Sequence, residues 1–300
     1  MGNDLAEVIS DRLPVATAAH RAQSAGRRHR RLAGVLGAIA ATCVWQLPAH
    51  AQTVDNDYWI SGMAYFPRVA TNVRVSTPAQ VLPSTDISLE KDLKLDKNDV
   101  LPSFTAGARF GRFIIGADYY KLKRNGDVSL ADDITFDGVT YPAAANVSSG
   151  FDSTIYRLTL NYAIVKKPDL ELGAGIGLHA TDFVISISGE GSVGNQAAQT
   201  EVRRRKALAP LPTLGLFGIY KVAPRVELNA RADYLSLNIG DYDGRLINVQ
   251  GGANYNVMKN VAIGVVYRYV NYRLGVDKDS WNGRVRYKLY GPAVQLQASF

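Results

Sequence analysis

The chain has 300 residues, 47% hydrophobic and 20% charged, with a formal net charge of +7, one cysteine and four histidines. Nothing in this composition is unusual for a folded protein, and a length of 300 admits one large domain or two smaller ones. No run of eighteen or more apolar residues lies outside the N-terminal region, which excludes a bundle of transmembrane helices but leaves a transmembrane β-barrel open, because its signal per segment is far weaker.

In chain order, the first predicted element is a leader. Arg27, Arg28, Arg30 and Arg31 form a basic cluster, residues 32–47 are apolar, and Pro48-Ala49-His50-Ala51 follows as an A-x-A-like site. A basic part, a short apolar part and small residues in that order are the anatomy of a secretory signal peptide. Cleavage after Ala51 is predicted, so residues 1–51 are leader and signal peptide and 52–300 the mature domain. The paired arginines sit inside a general basic cluster, and Ala40-Ala41-Thr42 is a poor lead-in for a lipid-modified Cys43. The mature part then keeps 28 basic and 24 acidic side chains, His179 as its single histidine, and no cysteine. Disulfides are excluded, and a net charge of +4 is not good evidence for nucleic-acid binding; with no basic groove of stacking aromatics, no nucleic-acid partner is expected.

From Tyr58 onward apolar and polar residues alternate with period two, the mark of a half-buried strand. Residues 226–235 set Val226, Leu228, Ala230, Ala232 and Tyr234 against Glu227, Asn229, Arg231 and Asp233, and residues 156–164, 170–180, 247–257 and 290–300 behave alike. Ten strands are predicted, at about 57–75, 99–110, 112–130, 151–165, 169–187, 207–221, 225–240, 244–257, 261–275 and 283–300, with eight as the alternative count. Short joins at residues 110–112, 166–169, 222–225 and 257–260 take turns with long polar ones near 76–99, 131–150, 188–206 and 276–283, plus a shorter one at 240–244. Tight turns at one end and loops at the other fit an all-β protein, a closed antiparallel transmembrane β-barrel with short periplasmic turns and long extracellular loops.

Period two does not by itself say which face looks inward. Three features favour apolar side chains toward lipid. Charges of both signs recur on the polar faces (Arg109, Asp118, Arg157, Glu171, Glu227, Arg231, Asp233 and Arg268), as suits a lumen network. Sixteen tyrosines, many near strand ends, suit an interfacial girdle. The last strand runs unbroken to Phe300, where it would close against the first, since unpaired backbone groups in hydrocarbon are costly. The eight lumen charges either line an ion path or interlock and fill a narrow barrel. Interspersed opposite charges favour the second reading, because an eight-strand interior is just filled by side chains and ten strands add little room.

The terminal phenylalanine strand resembles the C-terminal signal of Gram-negative outer-membrane barrels, which the barrel-assembly machinery reads. "ISLEKDLKL" (87–95), "LPSFTAGARFG" (101–111), "GAGIGLH" (173–179), "LPTLGLFGIY" (211–220) and "LNIGDYDGRL" (237–246) resemble a widespread, largely uncharacterised family of small outer-membrane β-barrel proteins. The resemblance covers nearly all of the mature chain. It implies fold and an outer-membrane location, and no activity. Outer-membrane lipid A deacylases resemble the same fold and carry a serine two residues after their histidine; here Ala180-Thr181-Asp182 follows His179, so that motif is absent.

His179 is therefore expected to be a barrel-interior histidine rather than a base. "GAGIGLH" has G-x-G-x-G spacing without a following helix, so the glycines read as room for large neighbours, not as a dinucleotide loop. No catalytic residue, cofactor or metal site is assigned, and the chain is expected not to be an enzyme. Arg203, Arg204, Arg205 and Lys206, the densest charge, are expected where the 188–206 loop rejoins a strand, as contacts for lipopolysaccharide phosphates or as a solvated face. Residues 87–99 mix Ile87, Leu89, Leu93 and Leu95 with charge and read either as a cap over the barrel mouth or as an extended outer strand. The functional expectation is a structural or interaction role, with outer loops contacting lipopolysaccharide or external ligands. A narrow passive channel and a lipid-A-modifying enzyme are the alternatives.

Overall fold

The computed structural model describes residues 56–77, 84–97, 100–193, 196–279 and 281–300. The expected leader and its cleavage site lie outside the described residues. Fourteen strands account for the regular structure: β1 (Tyr58–Tyr65), β2 (Arg68–Ser76), β3 (Ile87–Ser88), β4 (Leu101–Phe110), β5 (Phe113–Ser129), β6 (Ile134–Phe136), β7 (Val139–Tyr141), β8 (Asn146–Lys166), β9 (Leu170–Val193), β10 (Gln196–Ala223), β11 (Val226–Ile239), β12 (Tyr242–Met258), β13 (Val261–Lys278) and β14 (Trp281–Ser299). There is no helix among the described residues.

β1 and β2 act as one staggered wall strand, interrupted at Phe66-Pro67, and both pair with β14 in a single continuous register, Trp59 with Ser299 and Ser76 with Asn282. The break faces Pro292, and two prolines at one level explain it, because neither can donate to the ladder. With β1 also paired to β4, the antiparallel path through β4, β5, β8, β9, β10, β11, β12, β13 and β14 returns to its start, so the wall is a ring of ten strands. The seam is bonded to its end: the Phe300 carbonyl accepts from the Asp57 and Tyr58 amides at 3.0 and 3.1 Å, and the Phe300 amide donates to Tyr58 at 2.8 Å.

Tight turns join strands at one end. Phe110 pairs with Phe113 across Gly111-Arg112, and Gly111 takes φ +62°, a conformation that favours a residue without Cβ. At the other end β3 pairs with β2, and the β6–β7 hairpin lies between the ring strands and touches β9.

On the outer face of the lower half the side chains are apolar and exposed: Leu158, Leu160, Leu216, Val265 and Leu296 are 44–65% accessible. Glu227 and Gln295, their neighbours in the alternation, are 2% and 8% accessible, so the greasy face looks outward. On β8 this lipid-type face covers residues 156–164. At about 3.4 Å per residue and a tilt of about 40° it spans about 23 Å, the height of a barrel's apolar band. Aromatic pairs bracket it. Phe113 meets Tyr162 at 5.1 Å at the tight-turn end, and Tyr119 meets Tyr156 at 5.4 Å at the other.

Above that upper pair the faces exchange character. On β5 the outer positions become Lys121, Lys123, Asn125 and Asp127, while Tyr120 and Leu122 are buried inside. On β8 the outer positions become Thr154, Asp152 and Ser148, and Ile155, Phe151 and Val147 turn inward. Alternation continues without a slip; only the surroundings change, from lipid outside to water outside. The expectation of a polar lumen therefore holds for the lower half and fails above it, where a barrel standing in water must bury its apolar face inside.

The same exchange corrects the loop assignments. Residues 188–193 and 196–206, expected within a long loop, belong to β9 and β10, which pair from Val193 with Gln196 downward. Residues 131–150 hold the β6–β7 hairpin and the start of β8, and residues 276–278 and 281–283 belong to β13 and β14, whose ladder runs to Lys278 opposite Trp281. Their polarity belongs to strand faces exposed to water.

Candidate functional site

The eight charged residues expected in the lumen all lie on inward-facing positions of the lower and middle ring. Arg157 on β8 bridges two carboxylates, donating through Nε to Asp118 at 2.8 Å and through a terminal nitrogen to Asp233 at 2.7 Å. Asp233 also accepts from Arg231 at 2.8 Å and from Asn248 Nδ2 at 2.9 Å. Asn248 in turn accepts from Arg268 Nε at 3.2 Å, and the Arg268 guanidinium lies 4.7 Å over the Tyr120 ring. Nearer the tight turns, Arg109 pairs with Glu171 at 2.6 Å, both almost wholly buried, and Glu227 is buried at the same end. Four arginines and four acids leave this set with no formal net charge. Arg109, Arg157 and Arg231 each hold a carboxylate, and Arg268 is held by the Asn248 amide and the Tyr120 ring, so these buried charges are not left without polar partners.

The glycines of residues 173–179 make the space. A Cβ at Gly173 would meet the Phe217 ring at 2.4 Å, and one at Gly177 would meet Thr213 at 2.7 Å. A cavity of about 180 Å³ remains among Ser61, Asp118, Arg157, Arg268 and Gln295.

His179 is 1% accessible and stacks 6.3 Å from Tyr272. Glu171 sits eight residues down the same strand and is held by Arg109, so it is not placed to orient the imidazole. Arg203 and Arg204 lie on β10 opposite Ile187 and Ser186, where successive residues face opposite sides; Arg204 is exposed and Arg203 half-buried. The side chains of Arg205 and Lys206 lie outside the described residues.

Above the charges the lumen is closed by aromatic rings. Phe151 lies 5.9 Å from Phe183 and 5.5 Å from Tyr287, and Phe183 lies 5.3 Å from Tyr272. Residues 84–97 fold in on top of them with Ile87, Leu89, Leu93 and Leu95 at most 2% accessible, so this segment is a cap. Its anchor is Glu90, whose carboxylate accepts from Arg124 at 2.6 Å and from the Thr71 amide at 2.8 Å. Arg124 also donates to the Thr71 hydroxyl at 2.7 Å and lies 5.2 Å over Phe151. Sequence reading missed this anchor. Its one signal was an acid directly after Leu89, at the head of the charged run Glu90-Lys91-Asp92 between Leu89 and Leu93.

No protein-family model matches the sequence, and no curated protein does. Solved structures do match. The outer membrane protease OmpT of Escherichia coli matches with a TM-score of 0.52 at 14% identity, over 85% of this chain and 99% of OmpT. The toluene transporter TodX of Pseudomonas putida gives a TM-score of 0.32 at 10% identity, over 82% of this chain and 90% of TodX. Ail of Yersinia pestis, in a complex with the heparin analogue sucrose octasulfate, gives 0.30 at 11% identity, over 80% of this chain and 99% of Ail.

A ten-strand ring with an apolar exterior, aromatic girdles and a polar interior, matching OmpT over nearly its whole length, defines the class by its fold: the chain has the β-barrel fold of Gram-negative outer-membrane proteins. The comparison also corrects one expectation. The chain was expected not to be an enzyme, yet an outer-membrane protease has this fold, so the barrel gives no ground for excluding catalysis.

Proposed function

We propose that this protein is a non-conducting outer-membrane barrel with an interaction role, exported by the leader 1–51 and inserted through its C-terminal strand ending at Phe300. Its working surface is the part that stands beyond the membrane. The observation that carries this reading is the apolar closure of the upper lumen. A solute entering from outside would have to displace the aromatic layer and the cap held by Glu90 and Arg124. Below that layer the lumen charges neutralise one another and leave no row of one sign to draw an ion through. The exterior above the girdle offers strand faces and hairpins to polar or anionic external ligands, Arg204 among them.

Planar-bilayer recording of the purified, refolded barrel tests this. Silent membranes are expected from the wild type, and intermittent openings from Glu90→Ala, in which the cap loses its anchor. Discrete single-channel steps from the wild type would replace this reading with that of a passive channel.

A further inference from the structure

The outer wall of β12, β13, β14 and β2 carries an arrangement the lumen does not explain. Arg245 pairs in register with Arg273, and Arg273 with Arg286. Two residues further up β14, Arg284 pairs with Arg74 on β2. All four strands are antiparallel, and Arg245, Arg273, Arg284 and Arg286 are exposed, so three guanidiniums stand in one cross-strand row and two more in the next. Like charges directly opposite on neighbouring strands destabilise a sheet. Arg74 has an exposed pairing with Asp86 at 3.6 Å, and Asp243 lies diagonally beside the row, lining the same shallow depression. Arg245, Arg273, Arg284 and Arg286 form no ion pair with a described residue. The contrast with β5 is direct: there the exposed Lys123 faces Asp152 across the ladder.

The height of the row is fixed by its neighbours. Lys288, on the same face one alternation below Arg286, holds its ammonium 5.5 Å from the Tyr269 ring centre and 5.2 Å from that of Tyr290. Those two tyrosines, paired with each other, are the last aromatic residues of the lipid-facing rows on β13 and β14. An ammonium resting on girdle rings marks the boundary between acyl chains and headgroups. The arginine rows therefore begin at headgroup level, on the side that carries the β6–β7 hairpin and the cap.

We infer that this arginine ladder is a binding site for the phosphate groups of the outer leaflet's phosphorylated glycolipid, lipopolysaccharide. Anions seated between the rows convert the cross-strand repulsion into attraction. Guanidinium is the group for this, because its planar fork engages two phosphate oxygens at once and sheds water more readily than an ammonium. The acyl chains of the same lipid lie along Tyr269, Tyr290 and the apolar positions below them. The inference rests on the membrane-spanning reading and is independent of Arg203, Arg204, Arg205 and Lys206.

The test is thermal unfolding of the mature barrel in detergent micelles titrated with purified lipid A, with heat-modifiability on a gel confirming that every variant folds. Wild type gains Tm as bisphosphorylated lipid A is added and gains none with the dephosphorylated lipid. Arg273→Gln/Arg286→Gln has two signatures. Without lipid A its Tm lies above wild type, since repulsion is relieved, and its apparent affinity for lipid A is weaker by about tenfold for each arginine removed. Lys123→Gln responds to lipid A as wild type does. A double variant with the wild-type lipid response, or one whose Tm is lowered with and without lipid alike, overturns the site. Equal stabilisation by dephosphorylated lipid, or by inorganic pyrophosphate at matched phosphate, overturns the ligand. A double variant that fails to fold without lipid overturns the repulsion argument itself.

Discussion

Arg157 illustrates what a lumen charge does in this barrel. It joins Asp118 on β5 to Asp233 on β11 across the interior, and Asp233 gathers Arg231 and Asn248 as well. Asp233 is 2% accessible, and its loss leaves Arg231 without its carboxylate and Arg157 with Asp118 alone. Asp233→Ala is expected to lower the barrel's stability by about 3–5 kcal/mol, read from urea unfolding in lipid vesicles. A loss below about 1 kcal/mol would show that water reaches the network. Residue types and alternation put these charges in the lumen. Which acid meets which base depends on the stagger between strands. His179 shows the same limit from the other side: its sequence neighbours said what it lacks, and only the fold brought Tyr272 beside it.

A single strand crosses two environments. β8 presents Leu158 to lipid at one height and Thr154 to water at another, while inside it changes from Arg157 to Phe151. Three substitutions on β8 should separate these. Leu158→Arg is expected to cost about 2–4 kcal/mol, as a cation in the apolar band. Thr154→Arg should be within about 0.5 kcal/mol of wild type, as a surface change. Phe151→Ala should cost about 3–5 kcal/mol through the cavity it opens among Phe183 and Tyr287. The measurement is the urea midpoint of vesicle-inserted protein. Equal costs for the two arginine variants would place the membrane boundary elsewhere. The ten-strand ring was legible because alternation survives at every height. The upper strands were misread as loops because their polar outer faces look like loop composition to a reading that has no height.

At the scale of the whole molecule two barrels are stacked on one wall. The lower one has lipid outside and paired charges inside; the upper one has water outside and an apolar core capped by residues 84–97. The lower ring should hold the molecule together in detergent at room temperature. Unboiled protein is expected to migrate differently from boiled protein on a gel and to fractionate with the outer membrane; recovery in the soluble periplasm would refute the placement.

The sequence by itself determined the strand period and the residue types of the two faces, and it favoured ten strands over eight. Each follows from local alternation and from the cost of leaving backbone groups without partners in hydrocarbon. Tertiary structure alone decided where the faces exchange character, which lumen charges pair, that Glu90 folds inward onto Arg124, and that Arg245, Arg273 and Arg286 share one row. The physical reason is register. A strand's own pattern says which side a residue takes, whereas its height and its neighbours are set by hydrogen bonds to strands tens of residues away.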